Sequence, residues 1–216
     1  MFDTLIKDAQ TFVRALARDN TRDWFQAHKT DYDTKLRDPA KELLDEMSPK
    51  LATLTGCTVT PKLFRIHRDV RFSKDKTPYN THLHMMWTVD SGTRQNPVFL
   101  FGINQSDVTV GTGMMEFTKD VLMDWRKMVD LDGDHLMRRI SAVTEQGYTL
   151  WAPKLKRIPP PFDKDHPHGA LLRHKGIVAT GQLDATGDLI APISAAFEHL
   201  WPLSDMLIGI AETPTL

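Results

Sequence analysis

The 216 residues are 41% hydrophobic, enough for one substantial core, and no flexible linker divides them, so a single domain over residues 1–216 is expected. A net charge of −1 argues against a surface given over to a long polyanion, while the lone Cys57 excludes an internal disulfide and fits a reducing cytoplasm. No run approaches membrane-spanning length, and Asp3, Lys7 and Asp8 interrupt the only early apolar stretch, so neither a membrane partner nor a signal peptide is expected.

In chain order, Leu5, Ile6, Ala9, Phe12, Val13 and Leu16 recur at helical spacing, as do Trp24, Phe25, His28, Tyr32 and Leu36. The first sixty residues therefore read as helices. Asn20 is placed to cap the second, and Asp38-Pro39 reads as a cap with proline in the first turn of a third. That third stripe runs through Leu43, Leu44, Met47, Leu51 and Leu54, with a kink expected at Pro49 and a stop at Gly56. The Trp24, Phe25 and Tyr32 stripe reads as core, not as a base-stacking platform.

From Leu63 to Phe72 the pattern changes to period two. Phe64, Ile66, Val70 and Phe72 alternate with Leu63, Arg65, His67, Asp69 and Arg71, as in a strand with one face in the core. On this reading the first set is buried, and Arg65, His67, Asp69 and Arg71 share the opposite face. Arg68 points to the apolar side, where a permanently charged group must snorkel out, reach a carboxylate or bind a ligand anion. The run Ser73 to Pro78 loses the alternation and reads as a loop.

The middle of the chain reads as a sheet. Leu83, Met85, Trp87 and Val89 alternate with His82, His84, Met86 and Thr88; Phe99, Phe101 and Ile103 form a second run, and Asp107 to Gly113 its return. The turns at Asp90-Ser91-Gly92 and Gln105-Ser106-Asp107 are too short for crossover helices, so the sheet is expected to be antiparallel. Helices follow at 119–129 and 134–146, with Asp132 and Asp134 as caps and Gly147 as a stop. Strands are expected at 148–151 and 177–183, then paired helices through Leu189 to Leu200 and Leu203 to Ile210. The fold class is α+β: a mainly antiparallel sheet with N-terminal and C-terminal helices packed on it.

Charge is gathered into two places. Lys62 to Lys76 and Lys154 to Lys175 each hold six basic and two acidic residues, +4 apiece, which leaves −9 on the remainder given the total of −1. The second segment also carries His166 and His168 behind the stiff Pro159-Pro160-Pro161 run. Its Asp163 to His168 loop is expected to lie over the first segment and form one basic cleft. Gly111-Thr112-Gly113 lacks the third glycine and helix of a dinucleotide fingerprint, and the His82/His84 and His166/His168 pairs match no tight metal motif, so neither metal nor cofactor is expected.

The string Arg65-x-x-Arg68-Asp69-x-Arg71-Phe72, followed by Asp75-Lys76-x-x-Tyr79, resembles the signature of the uncharacterised bacterial family called Domain of Unknown Function 2461. Asn20 to Phe25 with Tyr32 resembles that family's N-terminal helical segment, and Phe162 to Pro167 with Leu171-Leu172 its later loop. Asn80 departs from the pattern, where lysine is expected. The resemblance implies a bacterial, soluble, single-domain protein and supplies no activity.

The residues themselves favour a small anionic, phosphate-bearing ligand, either bound or turned over. Arg65, Arg68 and Arg71 would clamp its oxygens, Lys74, Lys76 and His166 would add charge, and Tyr79 would donate a hydrogen bond. Asp69 and His67 are the candidate proton carriers. Nucleic-acid binding is the alternative, disfavoured by the −9 remainder, and a third reading makes the motif an internal ion-pair network in a structural or partner-binding module.

Overall fold

The computed structural model describes residues 2–185 and 187–212. Helices α1 (Leu5–Arg18), α2 (Arg22–Ala27) and α3 (Lys29–Asp31) lead through a π-helical turn at Tyr32–Arg37 into α4 (Asp38–Thr55). Strands β1 (Thr58–Leu63), β2 (Leu83–Asp90), β3 (Val98–Ile103) and β4 (Val108–Met114) follow. The chain then runs through α5 (Lys119–Thr144), β5 (Thr149–Leu150), α6 (Gly169–Leu172), β6 (Ile177–Gln182) and α7 (Ile190–Glu212). This is the expected α+β arrangement. All the strand pairs are antiparallel, in the order β1-β2-β3-β4-β6-β5.

Strand alternation decides which face of the sheet is covered. Leu83, Met85, Trp87 and Val89 are buried, and the register sets Met85 beside Phe101 and Trp87 beside Phe99, so one face is continuously apolar. There α4 packs on β1 and β2, and α7 packs on β4 and against α5. Trp87 pins α4 by donating its indole N–H to the Leu44 carbonyl at 3.1 Å. Thr112 satisfies its buried hydroxyl by donating to Val98 O at 2.9 Å, and the Ser204 hydroxyl of α7 lies 2.6 Å from it. Along β2 the other face, with His84, Met86 and Thr88, is only half-buried.

Several expectations change in detail. Asp38-Pro39 does not break the helix, because the π-helical turn runs directly into α4 and Pro39 falls in that helix's first turn, where no backbone donor is needed. Pro49 lies inside α4, and Gly56 ends it in a left-handed conformation at φ 69°. The two helices expected after Lys119 flank a break within α5 at Asp132 (φ −148°, ψ 55°), whose carboxylate accepts the His135 amide at 3.2 Å, so the boundary and its cap both stand. The C-terminal pair, by contrast, is a single helix through Pro202: packing of both apolar stripes outweighs the one backbone bond that proline removes. The strand expected at 148–151 shrinks to Thr149–Leu150.

Arg94, in the turn between β2 and β3, closes the end of α7 by donating to Ala211 O (2.9 Å) and Ile210 O (3.1 Å), and it pairs with Asp124 of α5 at 2.8 Å. Asp124 is only 6% exposed. Arg94→Ala would leave that carboxylate only the more distant Lys127 ammonium at 3.9 Å and is expected to cost about 3 kcal/mol in urea unfolding. Lys164→Ala, which removes an exposed pair with Asp165, is expected to change stability by less than about 0.5 kcal/mol.

Candidate functional site

The arginine signature leaves the sheet instead of extending it. Beyond Leu63 only Phe64 still bonds to β2, its amide donating to His84 O at 3.0 Å. Residues 65–80 then form a closed loop with antiparallel ends: the Arg68 amide donates to Pro78 O at 2.8 Å, the Asn80 amide to Ile66 O at 2.7 Å, and His67 faces Tyr79 in an isolated bridge. The strand expected over 63–72 is therefore corrected to Thr58–Leu63. Ile66 alone of the four apolar residues is buried, Phe64 and Val70 are half-buried, and Phe72 is 96% exposed. The common polar face for Arg65, His67, Asp69 and Arg71 goes with it.

Much of the motif's charge is satisfied inside this loop. Arg68 Nη1 donates to Asp75 Oδ2 at 2.6 Å, to Thr77 O at 3.1 Å and to the Thr77 hydroxyl. Asp75 also accepts the Thr77 amide at 2.9 Å, and this bond together with Arg68 and the Thr77 hydroxyl holds its carboxyl down at about 2. Arg71 grips Asp69 through Nε and Nη2 at 3.0 and 2.7 Å, which lowers the pKa of that carboxyl. Lys76 donates to Val70 O at 2.9 Å.

The N-terminal helices hold the loop in place. Asn20 does not cap α2, a task Thr21 performs toward the Trp24 amide at 3.3 Å. It bonds the backbone of Tyr79 in both directions instead, Nδ2 to O at 2.9 Å and the Tyr79 amide to Oδ1 at 3.1 Å. The Tyr79 ring stacks on Phe25 at 4.3 Å, and Phe25 in turn meets Tyr32 and Phe12. Tyr79 is consequently a core residue, 3% exposed.

Between the loop and the start of β2 lies a cavity of about 370 Å³. Arg65, His67, Arg68 and Asp69 line it from the loop, with Phe64, Asn80, His82 and His84 on the other side. No hydrogen bond or ion pair engages the Arg65 guanidinium among the described residues. The His82 and His84 rings stack at 3.8 Å. Asn104 turns its amide nitrogen to Asp107 at 2.9 Å, which leaves Oδ1 to accept from His84 Nε2 at 3.2 Å and makes Nδ1 the free acceptor of the neutral ring. Burial, and then the neighbouring His84, pushes His82 down to about 4; burial also lowers His84.

Residues 8–205 match the model of a family described as a conserved hypothetical protein (DUF2461). The chain belongs to that family. No curated protein matches it. The DUF2461 match spans the Asn20 clamp, the arginine loop and the histidine pair.

Of the candidate residues in this DUF2461 chain, Arg65, Arg68, His67 and Asp69 meet in one cavity, whereas Arg71, Lys74, Lys76 and Tyr79 do not line it. His166 is elsewhere. Its Nε2 lies 3.2 Å from Asp130 and His168 Nε2 lies 3.2 Å from Asp134, so the Asp163 to His168 loop is anchored on α5. No residue of 163–168 lines the cavity beside the arginine loop, so that cavity is not the shared cleft expected from the charge pattern. Sequence reasoning missed Asn80, His82 and His84, although a His-x-His at a strand start, a few residues after the signature, is a legible signal.

Two outcomes check this geometry. Asn20→Ala leaves the buried Tyr79 amide and carbonyl without partners, so a loss of about 2 kcal/mol is expected in urea unfolding, whereas Arg71→Ala, at an exposed site, should leave the midpoint unchanged. His82 is neutral in the fold, while the unfolded chain takes up its proton near pH 6.5. Its contribution to stability is therefore complete above about 6.5 and lost as pH falls toward about 4, and His82→Asn should flatten the change in unfolding midpoint across that window.

Proposed function

We propose that the cavity beside the arginine loop binds a small anion, phosphate-bearing in its natural form. Arg65 carries the reading: it is a permanent cation lining the cavity, its guanidinium without a hydrogen bond or ion pair among the described residues, next to a half-buried Arg68 already oriented by Asp75. Arg65 would take the anion's oxygens directly, Arg68 would contribute field from behind, and His67, His82 and Asn80 would supply donors. For turnover the proton carrier would be His67, because Arg71 holds Asp69 ionised.

Binding to a nucleic-acid backbone fits less well. Asp69 and Asp75 neutralise two of the three arginines in place, and a long polyanion would meet the negative remainder of the chain. A cytoplasmic, bacterial setting is part of the same proposal, supported by the family resemblance and the single half-buried thiol.

Sulfate keeps its charge between pH 7.5 and 5.5 and is the cleaner probe. At a hundredfold excess over its dissociation constant it should stabilise the protein by about 2.7 kcal/mol in thermal unfolding. Affinity should rise as pH falls, since an anion favours the charged forms of histidines that burial otherwise keeps neutral. Arg65→Ala should abolish the effect. An unchanged response in Arg65→Ala, or none in the parent protein, rejects the reading.

A further inference from the structure

A second cavity, of about 200 Å³, opens on the sheet face opposite α4 and α7, and Phe64 and His84 line both it and the anion cavity. Its character is different. Leu100, Phe101, Val110 and Met115 make it apolar, and Trp151 lines it as well. The His84 ring lies directly over Gly102, where a Cβ would come within 2.8 Å of it, so the imidazole itself is part of the wall. Trp151 is held by donation from its indole N–H to Thr180 Oγ1 at 3.3 Å, yet it is 45% exposed, and Met115 is 41% exposed. A hydrogen-bonded, half-exposed indole and a planar imidazole lining one apolar cavity suit a flat ring.

We infer that the two cavities form one site for a phosphate ester of a planar aromatic group, the size of a mononucleotide, with the phosphate at Arg65 and the ring in the slot lined by His84, Leu100 and Trp151. This rests on the anion reading above. Continuity through Phe64 and His84 supports a single ligand, because a cationic cavity and an apolar slot sharing two side chains match a molecule that is anionic at one end and flat and apolar at the other. The slot also offers Thr109 and Thr180 hydroxyls to ring heteroatoms, which an alkyl chain could not use.

Calorimetric titration with inorganic phosphate, hexyl phosphate and adenosine monophosphate tests it on the intact protein. Adenosine monophosphate is expected to bind at least about tenfold tighter than either of the others, given the usual gain from stacking one base on an aromatic side chain. Trp151→Ala should bring the ratio of the adenosine monophosphate and phosphate dissociation constants close to one. Equal affinities for phosphate and adenosine monophosphate in the parent protein would overturn the slot while leaving the anion site standing. A gain for hexyl phosphate as large as that for the nucleotide would overturn the planar ring. Adenosine binding as tightly as its monophosphate, with phosphate not binding at all, would sink the anion reading and the joint site with it.

Discussion

The clamp between Asn20 and the backbone of Tyr79 is the constraint on which the candidate site depends. A loop of sixteen residues at the edge of a sheet has no ladder to join, and its buried backbone groups need partners from elsewhere. Asn20 supplies them in the way a neighbouring strand would, one donor and one acceptor to the same residue. The stacking of Tyr79 on Phe25 adds apolar contact to the same junction. Through these contacts the aromatic core of the N-terminal helices fixes where the arginine loop ends, and hence where β2 and its two histidines begin.

Within the loop, folding and binding divide the charged residues between them. Arg68 and Asp75 close the loop across its width, and Arg71 and Asp69 lock one corner of it. A third basic residue, Lys76, donates to the Val70 and Arg71 carbonyls. Each of these groups finds its partner inside the loop and so needs no ligand. Arg65 has no such task. The internal-network reading and the ligand reading, which compete when the motif is viewed as one unit, thus apply to different residues.

How far the sequence could be read follows from the kind of order involved. Helical stripes at Leu5 to Leu16 and Leu43 to Leu54 and the alternation from Leu83 to Val89 reflect one-sided burial of long regular elements, and they appear as expected. The alternation at 63–72 is an accident of a loop that buries Ile66 and leaves Phe72 in solvent, while the true edge strand Thr58–Leu63 hides its pattern behind two threonines and Pro61. Continuity of α7 through Pro202 depends on tertiary packing that no local signal carries. The second basic segment misled for a related reason. His166 and His168 lie against Asp130 and Asp134, acids more than thirty residues away, and Lys154 pairs with Glu116, so the segment is held by groups that its own stretch of sequence does not show.

The histidine pair shows why a partly neutral pocket suits an anion that must also leave. Two stacked rings at 3.8 Å repel if both are charged, and their burial already disfavours the first proton. On the anion reading, with Asn104 fixing the His84 tautomer, the pocket sets the Arg65 guanidinium beside Asp69 and two imidazoles whose burial disfavours charge, so it would take an anion without a dense cluster of fixed cations. When an anion arrives, its charge makes protonation of His82 less costly, so binding and proton uptake reinforce each other. A pocket built from further arginines would hold the same ligand through permanent charges and would respond little to pH. On that reading, histidine at two of the positions that line the cavity with Arg65 would make occupancy dependent on proton concentration, and Gly102 beneath His84 leaves room for the ring.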